Sequence, residues 1–174
     1  VGKDTQNKTV LKREFSSGGV VYKKLKINNL KFKILWLVTA SAPSQLYPKV
    51  VWRLPKGRID DEGESPGPMA SGKVKADEKS LQESATREVK EEGGVEAKIV
   101  KKIGTSKYFF TTPERQKILK FVTFYLMEWI SDLPEGFDEE TSEIAWLPQE
   151  EARKKLSFKG EKDMLQKAKE FLPL

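Results

Sequence analysis

The chain has 174 residues, 37% of them apolar, and a net charge of +6, which is enough material for one globular domain with its own core. It contains neither cysteine nor histidine. That excludes disulfides, thiolate nucleophiles, Ser-His-Asp triads and the usual zinc centres, and leaves any chemistry to carboxylates, Lys, Arg, Tyr and a hard metal with oxygen ligands.

Residues 1–14 are polar, lack the apolar middle of a signal peptide, and are expected to form a flexible leader to a single domain over 15–174. No apolar run is long enough for a bilayer span, so no membrane partner is expected and a cytoplasmic location is. Strands are predicted over 18–22 and 32–38, joined by a hairpin connection around Asn28 and Asn29. A loop over 40–48 leads to a short strand over 50–54 that stops at Pro55. Residues 56–79 read as a long polar loop.

The clearest helix is predicted over 81–92, where Leu81, Ala85 and Val89 make one apolar stripe. Ser80 with Glu83 suits a capping box, and Gly93-Gly94 suits a left-handed stop. Strand-like runs follow at 97–103, 108–111, 119–129 and 143–147, then helices over 148–156 and 161–172. Strands, a helix, more strands and more helices predict an α/β domain with a mixed sheet.

On the predicted helix, Glu88, Glu91 and Glu92 are spaced three and four apart and share a side. Clustered carboxylates repel one another unless cations or water intervene. Arg87 can reach Glu91 or Glu83 at four-residue spacing and fix the rotamer of a ligating carboxylate. A Glu-rich helix is commonly just a solvated face, so its context decides.

That context is Leu54-Pro55-Lys56-Gly57 upstream and Arg87-Glu88-Val89-Lys90-Glu91-Glu92-Gly93-Gly94-Val95 downstream. Together they resemble the Nudix box: Gly, five residues, Glu, seven residues, then Arg-Glu-apolar-x-Glu-Glu-x-Gly-apolar. Gly57, Arg87, Glu88, Val89, Glu91, Glu92, Gly94 and Val95 match that pattern. Gly18-Gly19-Val20-Val21 and Trp146-Leu147 look like the family too, so the resemblance covers about residues 15–172. One departure stands out: between Gly57 and Arg87 the chain carries 16 residues more than the pattern, and Lys79 occupies the position eight before Arg87. Either Glu64 or Glu78 takes the part of the missing box Glu. The inserted stretch, 65–79, is rich in Pro, Gly, Ser and Lys and is expected to bulge as a mobile loop.

The resemblance implies an α/β/α sandwich and Mg²⁺-dependent hydrolysis of a phosphoanhydride, with Mn²⁺ as a substitute. It implies Glu88, Glu91, Glu92 and the Gly57 carbonyl as metal ligands, and Arg87, Glu91 and Glu92 in catalysis. Lys56 and Arg58 would hold phosphate oxygens. In some family members the general base is a Glu before a late strand; here Glu140 is favoured among Glu139, Glu140 and Glu143, and the box helix is the other source. Trp52-Arg53-Leu54-Pro55-Lys56-Gly57, the run from Lys120 to Met127, and Phe158-Lys159-Gly160-Glu161 look like the dinucleoside polyphosphate hydrolase subgroup, with diadenosine tetraphosphate as the expected substrate. Tyr108 is the candidate for stacking on a base, and Lys117 and Lys120 for further phosphates. The alternatives are a pyrophosphatase that removes oxidised nucleoside triphosphates, an enzyme acting on RNA 5′ ends or on sugar- or inositol-linked diphosphates, and a nucleotide- or RNA-binding module without turnover. A nucleotide is the expected partner; nucleic acid is compatible but not favoured, and the oligomeric state is left open.

Overall fold

The computed structural model describes residues 11–62 and 65–173. In chain order the elements are β1 (Lys12–Asn28), β2 (Lys31–Ser41), β3 (Trp52–Arg53), β4 (Lys56–Arg58), β5 (Asp61–Glu62), β6 (Ser65–Pro66), α1 (Glu78–Gly93), β7 (Val95–Thr111), β8 (Lys117–Asp132), β9 (Thr141–Leu147), α2 (Gln149–Lys155) and α3 (Lys159–Glu170).

The main sheet runs β3-β2-β1-β8-β7, with β4 added to β1 and β9 to β2. β1 and β8 pair in parallel from Lys12 opposite Ile118 to Tyr22 opposite Glu128, and the other ladders are antiparallel. The sheet is mixed, as predicted. β1 and β8 sit at its centre, buried on both faces, which is why both read as nearly continuous apolar runs instead of alternating ones.

Side-chain alternation splits the core into two layers. Val20, Tyr22, Val122, Phe124 and Leu126 pack with Leu156, Met164 and Leu165 beneath α2 and α3. Val21, Tyr125 and Met127, on the other face, pack with Ala85 and Val89 of α1. The result is the predicted α/β/α sandwich. Full burial of Val89 alone stabilises the docking of α1 by about 1.5–3 kcal/mol.

Several boundaries differ from the sequence-based expectation. Residues 12–14, assigned to the leader, belong to β1 and pair with Ile118, Leu119 and Lys120; residues 1–10 lie outside the described residues. The two strands expected over 97–111 are one long β7, kept in the ladder by irregularities that absorb the breaks in its pattern. α1 starts at Glu78, capped by Asp77 rather than Ser80: the Asp77 carboxylate accepts the Ser80 N–H at 2.7 Å. Asp is as good a cap as Ser, and the apolar stripe that marks the helix begins only a turn later. At the other end Gly94 takes φ 65°, the left-handed stop that was expected.

The inserted segment is tied down rather than bulging freely. The Asp60 carboxylate accepts the N–H groups of Met69 at 3.0 Å and Ala70 at 2.6 Å. The Phe15 N–H donates to the Ala70 carbonyl at 2.8 Å.

Candidate active site

α1 carries its carboxylates along the edge that faces β4. Glu92 is 2% exposed and accepts the Lys56 backbone N–H at 3.0 Å and the Arg53 guanidinium at 3.3 Å. Glu88 is 7% exposed and pairs with Arg87 at 2.9 Å. Glu91 is half-exposed and lies 3.8 Å from the Arg87 Nε. Arg87 also donates to the Arg58 carbonyl at 2.9 Å. One guanidinium therefore fixes the Glu88 rotamer and anchors the chain just after Gly57 to α1. The predicted pairing of Arg87 with Glu91 is present as a loose contact; its shorter bonds are to Glu88 and the loop.

Gly57 sits hard against this helix. A Cβ added there would meet the Glu88 carboxylate atoms at 2.2–2.4 Å, so only glycine lets the backbone come this close. With Arg53, Lys56, Arg58, Lys120 and Glu140, these residues line one open cleft of about 630 Å³. Five cationic and four anionic residues line the same space.

Burial raises the pKa of both inner carboxylates. Desolvation pushes Glu88 up to about 7, helped by Glu92 and Glu91; the contact with Arg87 pulls it back only in part. Desolvation likewise raises Glu92, and neighbouring Glu140 adds to it against Arg53 and Lys56. Lys120 is displaced the other way, to about 8, mainly by burial and then by repulsion from Lys56.

A raised carboxylate has a stability consequence. Glu88 keeps its proton in the folded chain at a pH where the unfolded chain, with its pKa of 4.5, has lost it. Its contribution is present below that value and is lost as pH rises through about 7, a swing of ~3 kcal/mol. In chelator, thermal unfolding is expected to fall over this window, and Glu88→Gln is expected to flatten the Glu88 share of the slope.

These residues suit a hard divalent cation. Glu88 and Glu92 supply oxygen donors whose negative charge burial penalises, a penalty that a bound cation would relieve. Among the described residues no three acidic side chains already form a closed cage. Each inner carboxylate leans instead on an arginine, Glu88 on Arg87 and Glu92 on Arg53.

Lys56 also lines a second pocket, of about 320 Å³, together with Tyr47, Tyr108, Phe124 and Phe158, among others. Tyr47 and Phe158 meet edge to face with centroids 5.7 Å apart. Lys56 stands at the junction, but its Nζ is bound to Glu161 of α3 at 3.3 Å, and both side chains are buried. The expected phosphate-holding lysine is thus held by a carboxylate, and Arg53 lines both the cleft and a smaller pocket of about 180 Å³ that Tyr47, Lys56, Tyr108 and Phe158 also line. Arg53 also has a buried Nε with no partner among the described residues.

Most of the sequence-predicted site residues converge. Gly57, Arg58, Arg87, Glu88, Glu91, Glu92, Lys120 and Glu140 line the cleft, and Tyr108 lines the aromatic pocket. Lys117 does not join them; its Nζ lies over the Phe109 ring at 4.6 Å. Glu78 is turned away from the cleft, accepting from Tyr125 at 2.6 Å and Lys102 at 2.9 Å. The other candidate for the displaced box position, Glu64, lies outside the described residues. Sequence reasoning did not single out Arg53, Tyr47 or Phe158 as lining residues. Arg53 was legible as part of the run before Gly57, whereas Tyr47 sits in an irregular loop with no periodicity to mark it.

Comparison with known proteins agrees with this geometry. The NUDIX domain family model matches residues 27–168. A relative carrying the name mutator protein MutT4, from Mycobacterium tuberculosis, is 29% identical over 116 residues, covering 67% of this chain and 46% of that protein. The chain thus spans about half the length of this curated relative. Among solved structures, an Ap4A hydrolase from C. elegans superposes with TM-score 0.58 at 20% identity, covering 91% of this chain and 96% of the other. The NUDIX domain of Shewanella oneidensis NrtR, complexed with ADP ribose, superposes with TM-score 0.57 at 12% identity, covering 96% and 93%. At these identities the structural likeness speaks for the fold, while the family model, which takes in Gly57, the carboxylate helix and the part of both core layers that follows β1, shows that the chain belongs to the NUDIX domain family.

Proposed function

We propose that this domain hydrolyses a phosphoanhydride bond in a nucleoside diphosphate-linked substrate, with a dinucleoside polyphosphate such as diadenosine tetraphosphate as the best fit. The observation that carries this reading is the adjacency of the two spaces. A charged cleft sized for a polyphosphate lies beside an aromatic pocket sized for a base, with Lys56 lining both.

Mg²⁺ held by Glu88 and Glu92, with Glu91 and the Gly57 backbone as further ligands, would neutralise phosphate oxygens and acidify a water. The chain's own residues do the rest. Arg53, Arg58 and Lys120 face the cleft with positive charge and would bind the phosphate chain through charge-assisted hydrogen bonds. Arg87 holds Glu88 and the loop after Gly57 in register. Glu140, exposed at the cleft rim, would accept the proton from the attacking water as the P–O bond to the leaving phosphate breaks. Tyr108, with Tyr47 and Phe158, would flank the base.

Tyr108→Ala is expected to raise KM for a nucleotide by roughly tenfold, in line with the ~1–3 kcal/mol of stacking on one aromatic face, while changing kcat little; steady-state kinetics separate the two. Because Lys120 titrates near pH 8, KM is also expected to climb as pH passes through that value, and Lys120→Met should remove this limb.

The test of the reading is a substrate panel with Mg²⁺: diadenosine tetraphosphate, 8-oxo-dGTP, ADP-ribose and 5′-triphosphate RNA. ATP plus AMP from the first supports the proposal. Preference for 8-oxo-dGTP would move the assignment to the oxidised-nucleotide pyrophosphatases, a reading favoured by the mutator-protein relative. Binding without turnover on all four would leave a nucleotide-binding module.

A further inference from the structure

The β1–β2 hairpin outruns the rest of the sheet. β1 leaves β8 at Tyr22, and β2 leaves β9 at Trp36, yet the two continue pairing with each other as far as Asn28 and Lys31. Residues 24–33 therefore project as a two-stranded ribbon, with Ile34 at its base packed against the core; such a ribbon is marginal in water without support. Its surface is unusual for a solvated ribbon. Leu30 at the tip is 91% exposed, Ile27 61%, Phe32 60% and Leu25 43%. Five lysines, at 23, 24, 26, 31 and 33, accompany them, and no carboxylate occurs anywhere between Glu14 and Asp60. Lys23 is occupied at the base, over the rings of Trp129 and Trp146; the other four are carried along the ribbon.

We infer that this hairpin is a docking element for an anionic lipid surface, entered tip first. Its register favours that partner over others. Lys26 is paired with Phe32 and Leu25 with Lys33, and since paired residues share a face and neighbours alternate, both faces of the ribbon carry apolar and cationic side chains together. A protein groove would call for one apolar face and one polar face. A single-stranded nucleic acid would call for several aromatic platforms, whereas of the ribbon's four exposed apolar side chains only Phe32 is aromatic. A bilayer interface accepts apolar groups from a tip on all sides, while lysines around the tip reach lipid phosphates. The element is a peripheral contact, not a span: no helix among the described residues is long and apolar enough to cross a membrane. It departs from the sequence-based expectation that no membrane is involved, and it does not depend on the proposed hydrolysis.

Co-sedimentation of the whole chain with vesicles tests it. Binding is expected to phosphatidylcholine vesicles containing phosphatidylserine, not to phosphatidylcholine alone, and to weaken as salt is raised. The pair Leu30→Ser and Phe32→Ser is expected to weaken partitioning by at least about tenfold, and the pair Lys26→Glu and Lys33→Glu to abolish the preference for anionic lipid, each with an unchanged thermal unfolding curve. Three results would overturn the inference: no binding to the anionic vesicles, binding that ignores both pairs of substitutions, or gel-shift capture of single-stranded RNA without vesicle binding.

Discussion

Replacing Glu92 by Gln is expected to lower turnover by about two to three orders of magnitude, a loss of ~3–4 kcal/mol in transition-state stabilisation, while leaving the fold intact. The two effects separate because Glu92 does two things. Its carboxylate accepts the Lys56 N–H and faces Arg53 from a site 2% exposed. A glutamine carbonyl can still accept from Lys56, and burial has already raised the pKa of the charge that is removed. Unfolding temperature should therefore hold or rise. Activity should not recover, because the neutral amide is a far weaker donor to a hard cation. Steady-state kinetics beside a thermal melt read both arms, and a fully active Glu92→Gln would remove this residue from the catalytic assignment.

Gly57→Ala is expected to be nearly as damaging by a different route. The added methyl would sit 2.2–2.4 Å from the Glu88 carboxylate, well inside van der Waals contact, so Glu88 or β4 must move. Glu88 is held by Arg87, and Arg87 by the Arg58 carbonyl; the shift therefore propagates to the loop and to the cleft wall. Overpacking of this kind costs about 1–3 kcal/mol of stability. A ligand displaced by an ångström is no longer a ligand, so turnover should fall by about 10²-fold or more. The companion Gly19→Ala is a useful contrast. Its Cβ would meet Val89 at 2.5 Å, in the core rather than at the cleft. It should lower stability without the selective loss of turnover.

The α1 carboxylates were legible in the sequence because helical spacing is a local property. Three residues at 88, 91 and 92 fall on one side of any helix, and Gly93-Gly94 announced where that helix ends. The two-layered core was legible for the same reason, through the apolar runs of β1 and β8. What escaped were properties set by distant partners. Lys56 read as a free phosphate ligand, because nothing local shows that α3, 105 residues further on, brings Glu161 to its Nζ. Glu78 competed for the displaced box position, yet tertiary packing turns it to Tyr125 and Lys102. The inserted segment read as a mobile loop from its Pro, Gly and Ser, but Asp60 and Phe15 give it fixed hydrogen-bond partners that composition does not reveal.

If the inner carboxylates of α1, beside Gly57, hold a divalent cation, the ion should be visible on them directly. Mn²⁺ titration followed by electron paramagnetic resonance reads this most directly, since free and bound Mn²⁺ give different signals. Saturable binding by the wild-type chain is expected, weaker below pH 7 as Glu88 takes up its proton, competed by Mg²⁺ and lost when Glu88 and Glu92 are both replaced by Gln. Binding that survives the double replacement, or phosphoanhydride hydrolysis that continues undiminished in chelator, would rule out a cation held by these two carboxylates.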